Sequence, residues 1–169
     1  MRITVLGSGS TGNSVLISTE KTRVLVDAGL SAKQTLLRLR EVGEDFEDLD
    51  GILITHEHSD HAGGLRVLLK TVNCPVYISE STKEAYLKPR RARNGEKEAR
   101  LRSESLNGNG VDIKSSEEFR IGDIDFEPFS VPHDAADNFG FVAMNRGMRV
   151  ATLMDFGHFT TLVKEKLRN

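Results

Sequence analysis

Three of the five histidines in this chain lie within six residues of one another, in the run His56, Glu57, His58, Ser59, Asp60, His61. The run directly follows residues 51–54, which have the length and the apolar composition of a buried strand. Neutral imidazoles are strong ligands for zinc and similar ions. The chain is therefore expected to fold so that the end of a buried strand meets a metal site.

The spacing within the run predicts ligands for two adjacent ions. On an extended stretch His56 and His58 share one side, whereas a turn beginning near Ser59 redirects Asp60 and His61. The alternative is a histidine-rich surface loop. Such a loop would need neither the buried strand before the run nor the small residues 62–64 after it. We therefore interpret the run as the core of a dinuclear metal site.

Length and composition predict one globular domain over residues 1–169, because 169 residues with 38% hydrophobic content can bury a sizeable core. The apolar runs are too short to span a bilayer and the N-terminus lacks a secretory pattern, which predicts a cytoplasmic location without membrane partners. The single cysteine, Cys74, excludes an internal disulfide and fits a reducing compartment.

Hydrophobic patterning predicts a mixed α/β chain. Strands are expected at residues 2–6, 14–18, 23–27, 51–54 and 75–79, and later at 119–121, 124–131, 139–144 and 148–154. Helices are expected at residues 32–42, 65–72, 81–87 and 158–167. Ser31 can cap the first of these helices and Gly43 can end it.

Residues 88–102 carry a cluster of positive charge. Seven lysines and arginines are opposed there by Glu96 and Glu98, which leaves about five net positive charges in a chain whose formal charge is -2. Two interpretations remain open: a surface that binds an anionic partner, or a solvated loop around Pro89 and Gly95. Under the first, Arg90, Arg91 and Arg93 are candidate substrate-binding residues.

A glycine-rich segment follows the first predicted strand. Gly7, Gly9 and Gly12 allow a close backbone approach, while Ser10 and Asn13 can donate hydrogen bonds to a substrate. The segment lacks the lysine of a nucleotide-binding P-loop. We interpret it as lining the site, with a tight turn between two strands as the alternative.

Two further residues are weak candidates when taken alone. His133 is as consistent with an ordinary loop residue as with a ligand, and Asp155 with a turn or a helix cap. His158, three residues later, is open between a position near the site, as phosphate donor or proton carrier, and the cap of the last helix.

Taken together, these residues resemble the metallo-β-lactamase superfamily, whose strand-end motif reads H-x-H-x-D-H. Asp27 matches its first motif, His133 the third and Asp155 the fourth. The resemblance implies a four-layer αβ/βα sandwich in which His56, His58 and His133 hold one ion, Asp60 and His61 hold the other, and Asp155 bridges both. Asp27, and His158 if it lies near the site, would orient the ligand residues without binding an ion directly.

Residues 7–14, 132–136 and 155–158 are most similar to the WalJ/YycJ-like branch of that superfamily. This resemblance implies an enzyme that cleaves phosphodiester bonds in nucleic acid, as a DNA 5′ to 3′ exonuclease. Two alternatives remain: an RNA-processing or cyclic-nucleotide phosphodiesterase, and a metal-binding but inactive fragment. The family's final ligand histidine lies further downstream, so the C-terminal half is expected to be incomplete here, and exposed strand edges would then favour a homodimer.

The implied chemistry is attack by a metal-bound hydroxide on the phosphodiester, with Asp60 and Asp155 as the catalytic carboxylates. Two divalent ions are expected. Zinc suits the imidazole-rich ligand set, and manganese also fits carboxylates and phosphodiester chemistry.

Overall fold

In the computed structural model, which describes residues 1–89 and 94–168, two β-sheets pack face to face with helices on their outer sides. The first sheet contains, in spatial order, β1 (Arg2–Gly7), β2 (Ser14–Ser18), β3 (Arg23–Val26), β4 (Gly51–Leu53), β5 (Val76–Ile78) and β6 (Gly110–Asp112). The second contains β7 (Phe119–Ile121), β8 (Ile124–Ser130), β9 (Phe139–Asn145) and β10 (Met148–Thr152), which pair in chain order.

The helices are α1 (Ala32–Glu41), α2 (Ser59–Ala62), α3 (Leu65–Leu68), α4 (Glu80–Leu87), α5 (Gly95–Leu106) and α6 (Thr161–Leu167), with a 3-10 turn at Phe46–Asp48. Three apolar clusters separate the layers. One joins the first sheet to its outer helices, one fills the space between the sheets, and one joins the second sheet to α6. This four-layer α/β/β/α arrangement confirms the predicted fold class.

The parallel part of the first sheet positions the histidine run. Strands β3 and β4 are parallel neighbours, with Val26 opposite Leu53. Their carboxyl ends therefore meet at one edge of the sheet. Asp27 follows β3 and His56 follows β4 shortly after its end, so residues 29 positions apart in the sequence become neighbours.

Helix α1 begins and ends where its sequence predicts. The Ser31 side chain accepts a hydrogen bond from the Gln34 backbone N–H (3.3 Å), which satisfies one of the free donors of the first turn. Gly43 then adopts a φ of 78°, a conformation that stops the helix and that glycine adopts without strain.

Several elements of the structure differ from the prediction. Residues 95–106 form helix α5 rather than a loop, because the Arg66 guanidinium binds Glu98 (2.8 Å) and Arg102 donates to the Tyr86 carbonyl (2.9 Å). Strand β6 was not predicted; its three residues are exposed and carry no alternating pattern. Helix α6 begins at Thr161, not at 158, because the Thr160 hydroxyl caps it.

None of the helices within the described ranges is both long enough and apolar enough to cross a membrane.

Candidate metal centre

Loops from both sheets bring the site together. His56 lies just beyond β4, and His58 is the extended residue before α2, the one-turn helix that carries Asp60 and His61. His133 follows β8 and Asp155 follows β10, so both reach the site from the second sheet. The predicted change of direction near Ser59 is confirmed, because α2 begins at that residue.

One ligand set consists of His56, His58 and His133, whose candidate ligand atoms all lie within 4.8 Å of one another. His133 Nε2 is 3.2 Å from His58 Nδ1. Two nitrogens that each lie about 2.1 Å from one tetrahedral ion are roughly 3.4 Å apart. The pair therefore has the spacing of two ligands on a single ion.

A second set consists of His56, His61 and Asp155, also within 4.8 Å. Asp155 Oδ2 lies 3.0 Å from His61 Nε2, and 3.8 Å from the Nε2 atoms of both His56 and His133. Asp60 Oδ2 is 3.5 Å from His61 Nε2 at the edge of this set. One carboxylate oxygen of Asp155 thus faces both groups of imidazoles.

The environment of the His56 side chain shows whether these residues could bind a metal ion. Its Nε2 is buried and has no hydrogen-bond partner among the described residues, although buried polar atoms normally have one. Burial, together with the neighbouring histidines, lowers the pKa of His56 to about 3. The ring is therefore neutral at physiological pH, with a lone pair that a divalent cation would satisfy. The donor set fits such an ion.

Asp27 lies beneath the ligands and is fully buried. Its carboxylate accepts hydrogen bonds from the Thr55 backbone N–H (2.9 Å) and from the Thr55 hydroxyl, and it contacts His61 Nδ1 at 2.7 Å. Burial alone would lower the pKa of His61, but the contact with Asp27 and the other nearby carboxylates raises it overall. Donation from Nδ1 to Asp27 directs the His61 Nε2 lone pair toward a metal.

The loop that carries Asp60 and His61 rests closely on the residues after β3. The Asp60 carbonyl accepts a hydrogen bond from the Asn13 backbone N–H (2.7 Å), and the His61 carbonyl accepts one from the Ala28 N–H (2.8 Å). A Cβ atom added to Gly29 would lie 1.6 Å from the Asp60 carbonyl oxygen. Glycine is therefore required at position 29 for this close backbone approach.

The predicted substrate-binding residues have different fates. Asn13 is buried, and its Oδ1 accepts from the Gly9 N–H (2.9 Å). Its Nδ2 lies 3.0 Å from His61 Nε2 and 3.3 Å from Asp60 Oδ2, so its amide contacts two candidate ligands. Ser10 is exposed in the loop between β1 and β2. Arg90, Arg91 and Arg93 lie outside the described residues.

His158 does not join the ligands. It is exposed, belongs to neither ligand set among the described residues, and precedes α6 rather than capping it. The backbone N–H of its neighbour Gly157 donates to the Pro132 carbonyl (3.0 Å), which fixes the loop while the His158 side chain remains at the surface. A role of His158 near the site stays a prediction, whereas the alternative role as the cap of α6 is wrong.

Three polar residues that were not predicted from the sequence hold the site in place. Thr55 bonds to Asp27, and its hydroxyl is 3.0 Å from His56 Nδ1. Glu57 accepts from the Ala136 N–H (3.0 Å), and Asn138 donates to the Asp155 carbonyl (3.0 Å). Thr55 and Glu57 are neighbours of candidate ligands in the sequence, which could have indicated a supporting role. Nothing in the sequence around Asn138 indicates its hydrogen bond to Asp155.

Comparisons with known proteins agree with this geometry. The sequence model of the Metallo-beta-lactamase superfamily matches residues 7–146. The chain is 35% identical to exodeoxyribonuclease YycJ of Bacillus anthracis, over 97% of this chain and 58% of that protein. It is 39% identical to exodeoxyribonuclease WalJ of Streptococcus pneumoniae (strain D39 / NCTC 7466), over 79% and 46%. The chain thus spans about half the length of these curated relatives.

Among solved structures, the fold is similar to that of zinc-bound PqqB from Methylobacterium extorquens. The TM-score is 0.76 at 15% sequence identity, and the match covers 99% of this chain and 69% of the other. At this identity the likeness supports the fold.

Proposed function

The chain belongs to the metallo-beta-lactamase superfamily, and on that premise we propose that it hydrolyses phosphodiester bonds in DNA as a metal-dependent 5′ to 3′ exonuclease. The observation that carries the proposal is the pair of ligand sets that share His56 and face one Asp155 oxygen. Two ions side by side are the arrangement that phosphodiester hydrolysis uses in many nucleases. The exodeoxyribonuclease relatives favour DNA over other phosphodiesters.

When bound, the two ions would polarise the phosphodiester and lower the pKa of the attacking water. The protein would hold the metal-ligating side chains in place and accept the proton of the attacking water. His58 and His133 belong to one ligand set and His61 to the other, and His56 lies within reach of both. Asp60 lies beside His61. The Asp155 side chain is 39% exposed, so a substrate could approach the carboxylate from the surface. That carboxylate is suited to orient the water and to accept its proton.

Zinc is our proposed metal, with manganese as the alternative. Four of the candidate ligands are imidazoles, which suit zinc, whereas manganese favours sites richer in carboxylate oxygen. Metal analysis of the purified protein, followed by activity measurements with each ion added to metal-free protein, distinguishes the two.

The proposed activity is tested with DNA labelled at either end. We expect release of labelled nucleotides from the 5′ end, loss of that release with a chelator, and recovery when the metal is restored. Parallel reactions with RNA and with cyclic nucleotides test the two alternative substrates. Stoichiometric metal without turnover on any of these substrates would contradict the proposal and favour a metal-binding chain without activity.

The positive segment leads to a separate prediction about DNA binding. Reversing Arg90, Arg91 and Arg93 to glutamate should weaken binding at least about tenfold and reduce the slope of log affinity against log salt by up to about three, because each phosphate contact contributes roughly one to that slope. Binding is measured by fluorescence anisotropy over a range of salt concentrations. Reversal of Lys21, Lys33 and Lys70, elsewhere in the chain, is the matched control. Equal affinity and slope in both triple variants would assign residues 88–102 to an ordinary solvated surface.

A further inference from the structure

Two phenylalanine rings stand together at the surface immediately after Asp155. Phe156 is 41% exposed and Phe159 is 50% exposed. Their ring centroids are 4.8 Å apart with an interplanar angle of 54°. Such rings would bury apolar area favourably if a partner covered them. Neither ring belongs to any of the three apolar clusters.

The loop that carries these rings is fixed to the metal centre at two points. Asn138 Nδ2 donates to the Asp155 carbonyl (3.0 Å), and the Gly157 N–H donates to the carbonyl of Pro132, the residue before His133 (3.0 Å). Asp155 itself has a φ of 48°, an uncommon conformation for a residue other than glycine. The backbone therefore turns sharply at the ligand, and the rings are held within a few residues of two candidate ligands.

We propose that Phe156 and Phe159 form a stacking platform that binds a nucleobase of a single-stranded DNA end, beside the phosphate to be cleaved. The inference rests on the proposed function, because it assigns a substrate contact to the same site. Aromatic side chains stack on any base, since every base has a π face, so the platform would bind DNA without sequence preference. That property suits an enzyme that removes successive nucleotides from an end.

The size of the platform favours a base over a protein partner. Two aromatic side chains bury about 150 to 250 Å² each, well below the roughly 800 Å² that each partner contributes to a standard protein interface. A nucleobase can stack on one exposed ring face, provided that the backbone that carries the ring is fixed near the site. The two hydrogen bonds that anchor the loop fix this backbone.

A fluorescence titration tests the platform directly, because the chain contains no tryptophan. The Phe156→Trp variant carries a single indole, whose emission should be quenched when a base stacks on it. The titrant is a single-stranded phosphorothioate oligonucleotide, which resists cleavage, added to the metal-loaded full chain. We expect saturable quenching with this oligonucleotide and little with one whose terminal nucleotides are abasic. Phe46→Trp, at the opposite end of β4, is the matched control and should show no change.

Kinetics on the same pair of substrates separates stacking from a structural role. The wild-type KM for the normal oligonucleotide should be about tenfold to a hundredfold lower than for the abasic one. In the Phe156→Ala/Phe159→Ala variant that ratio should fall close to one. Tyrosine at both positions should restore the preference.

Two results would overturn the platform: equal quenching by both oligonucleotides, or a double-alanine variant that keeps the wild-type preference. An equal loss of activity on both substrates would also overturn it and assign the rings to packing. Failure of the proposed function is distinguishable, because a chain that cleaves no DNA can still be tested for base-dependent quenching.

Discussion

Replacing His56 by alanine should remove at least one of the two ions and lower DNA hydrolysis about a thousandfold or more. One imidazole nitrogen binds one ion, so whichever ligand set His56 completes keeps only two ligands after the substitution. A metal-activated water has a pKa near 7, against about 15.7 for free water, so loss of the ions removes the nucleophile. Elemental analysis of the dialysed protein and the end-labelled DNA assay measure the two effects.

His158→Ala is the matched control, because that histidine is exposed and outside the ligand sets. Its metal content should equal that of the unaltered chain. Circular dichroism of both variants separates metal loss from unfolding. If His56→Ala is unfolded, His56→Asn keeps a polar side chain in the buried position and should give the same loss of metal. A folded His56 variant that retains two ions per chain would refute the assignment of His56 as a metal ligand.

Replacing Gly29 by alanine should strongly destabilise the protein and weaken its metal binding. The added Cβ would lie 1.6 Å from the Asp60 carbonyl oxygen and 2.7 Å from the Asn13 backbone nitrogen. Because both are backbone atoms, relief requires the ligand loop to move. Such overpacking costs about 3 kcal/mol or more, which lowers Tm by roughly 6 to 12 °C in a chain of this size.

Gly110→Ala is the matched control for this substitution. Its added Cβ would meet one backbone oxygen at 3.7 Å, an ordinary contact, so Tm and metal content should change little. Thermal unfolding followed by circular dichroism, with metal content measured in parallel, checks both variants. Equal Tm values for the two would mean that the ligand loop does not depend on the close packing at Gly29.

The parts of the site that could be predicted from the sequence are those encoded locally. The run from His56 to His61 follows an apolar strand directly, so both the strand and the candidate ligands were visible together. Helix α1 was equally predictable, because Ser31 caps it and Gly43 stops it. The family resemblance then placed His133 and Asp155, which local sequence alone left ambiguous.

What could not be predicted depends on contacts between distant segments. Asn138 supports Asp155 through a hydrogen bond that exists only once β9 lies beside the loop after β10. Helix α5 could not be predicted because its charged sequence lacks a clear apolar stripe. Its hydrogen-bond partners Arg66 and Tyr86 belong to two other helices, α3 and α4. The inclusion of His56 in both ligand sets likewise follows from three-dimensional packing, not from spacing.

Ligands drawn from both sheets make metal binding and folding one coupled equilibrium. An ion held by His58 and His133 would cross-link positions 75 residues apart, which limits the freedom of the chain as a disulfide does. The unfolded chain cannot present this geometry, so each tenfold excess of free metal over its Kd adds about 1.4 kcal/mol to the free energy of unfolding. Removal of the metal with a chelator is therefore expected to lower the free energy of unfolding of this chain.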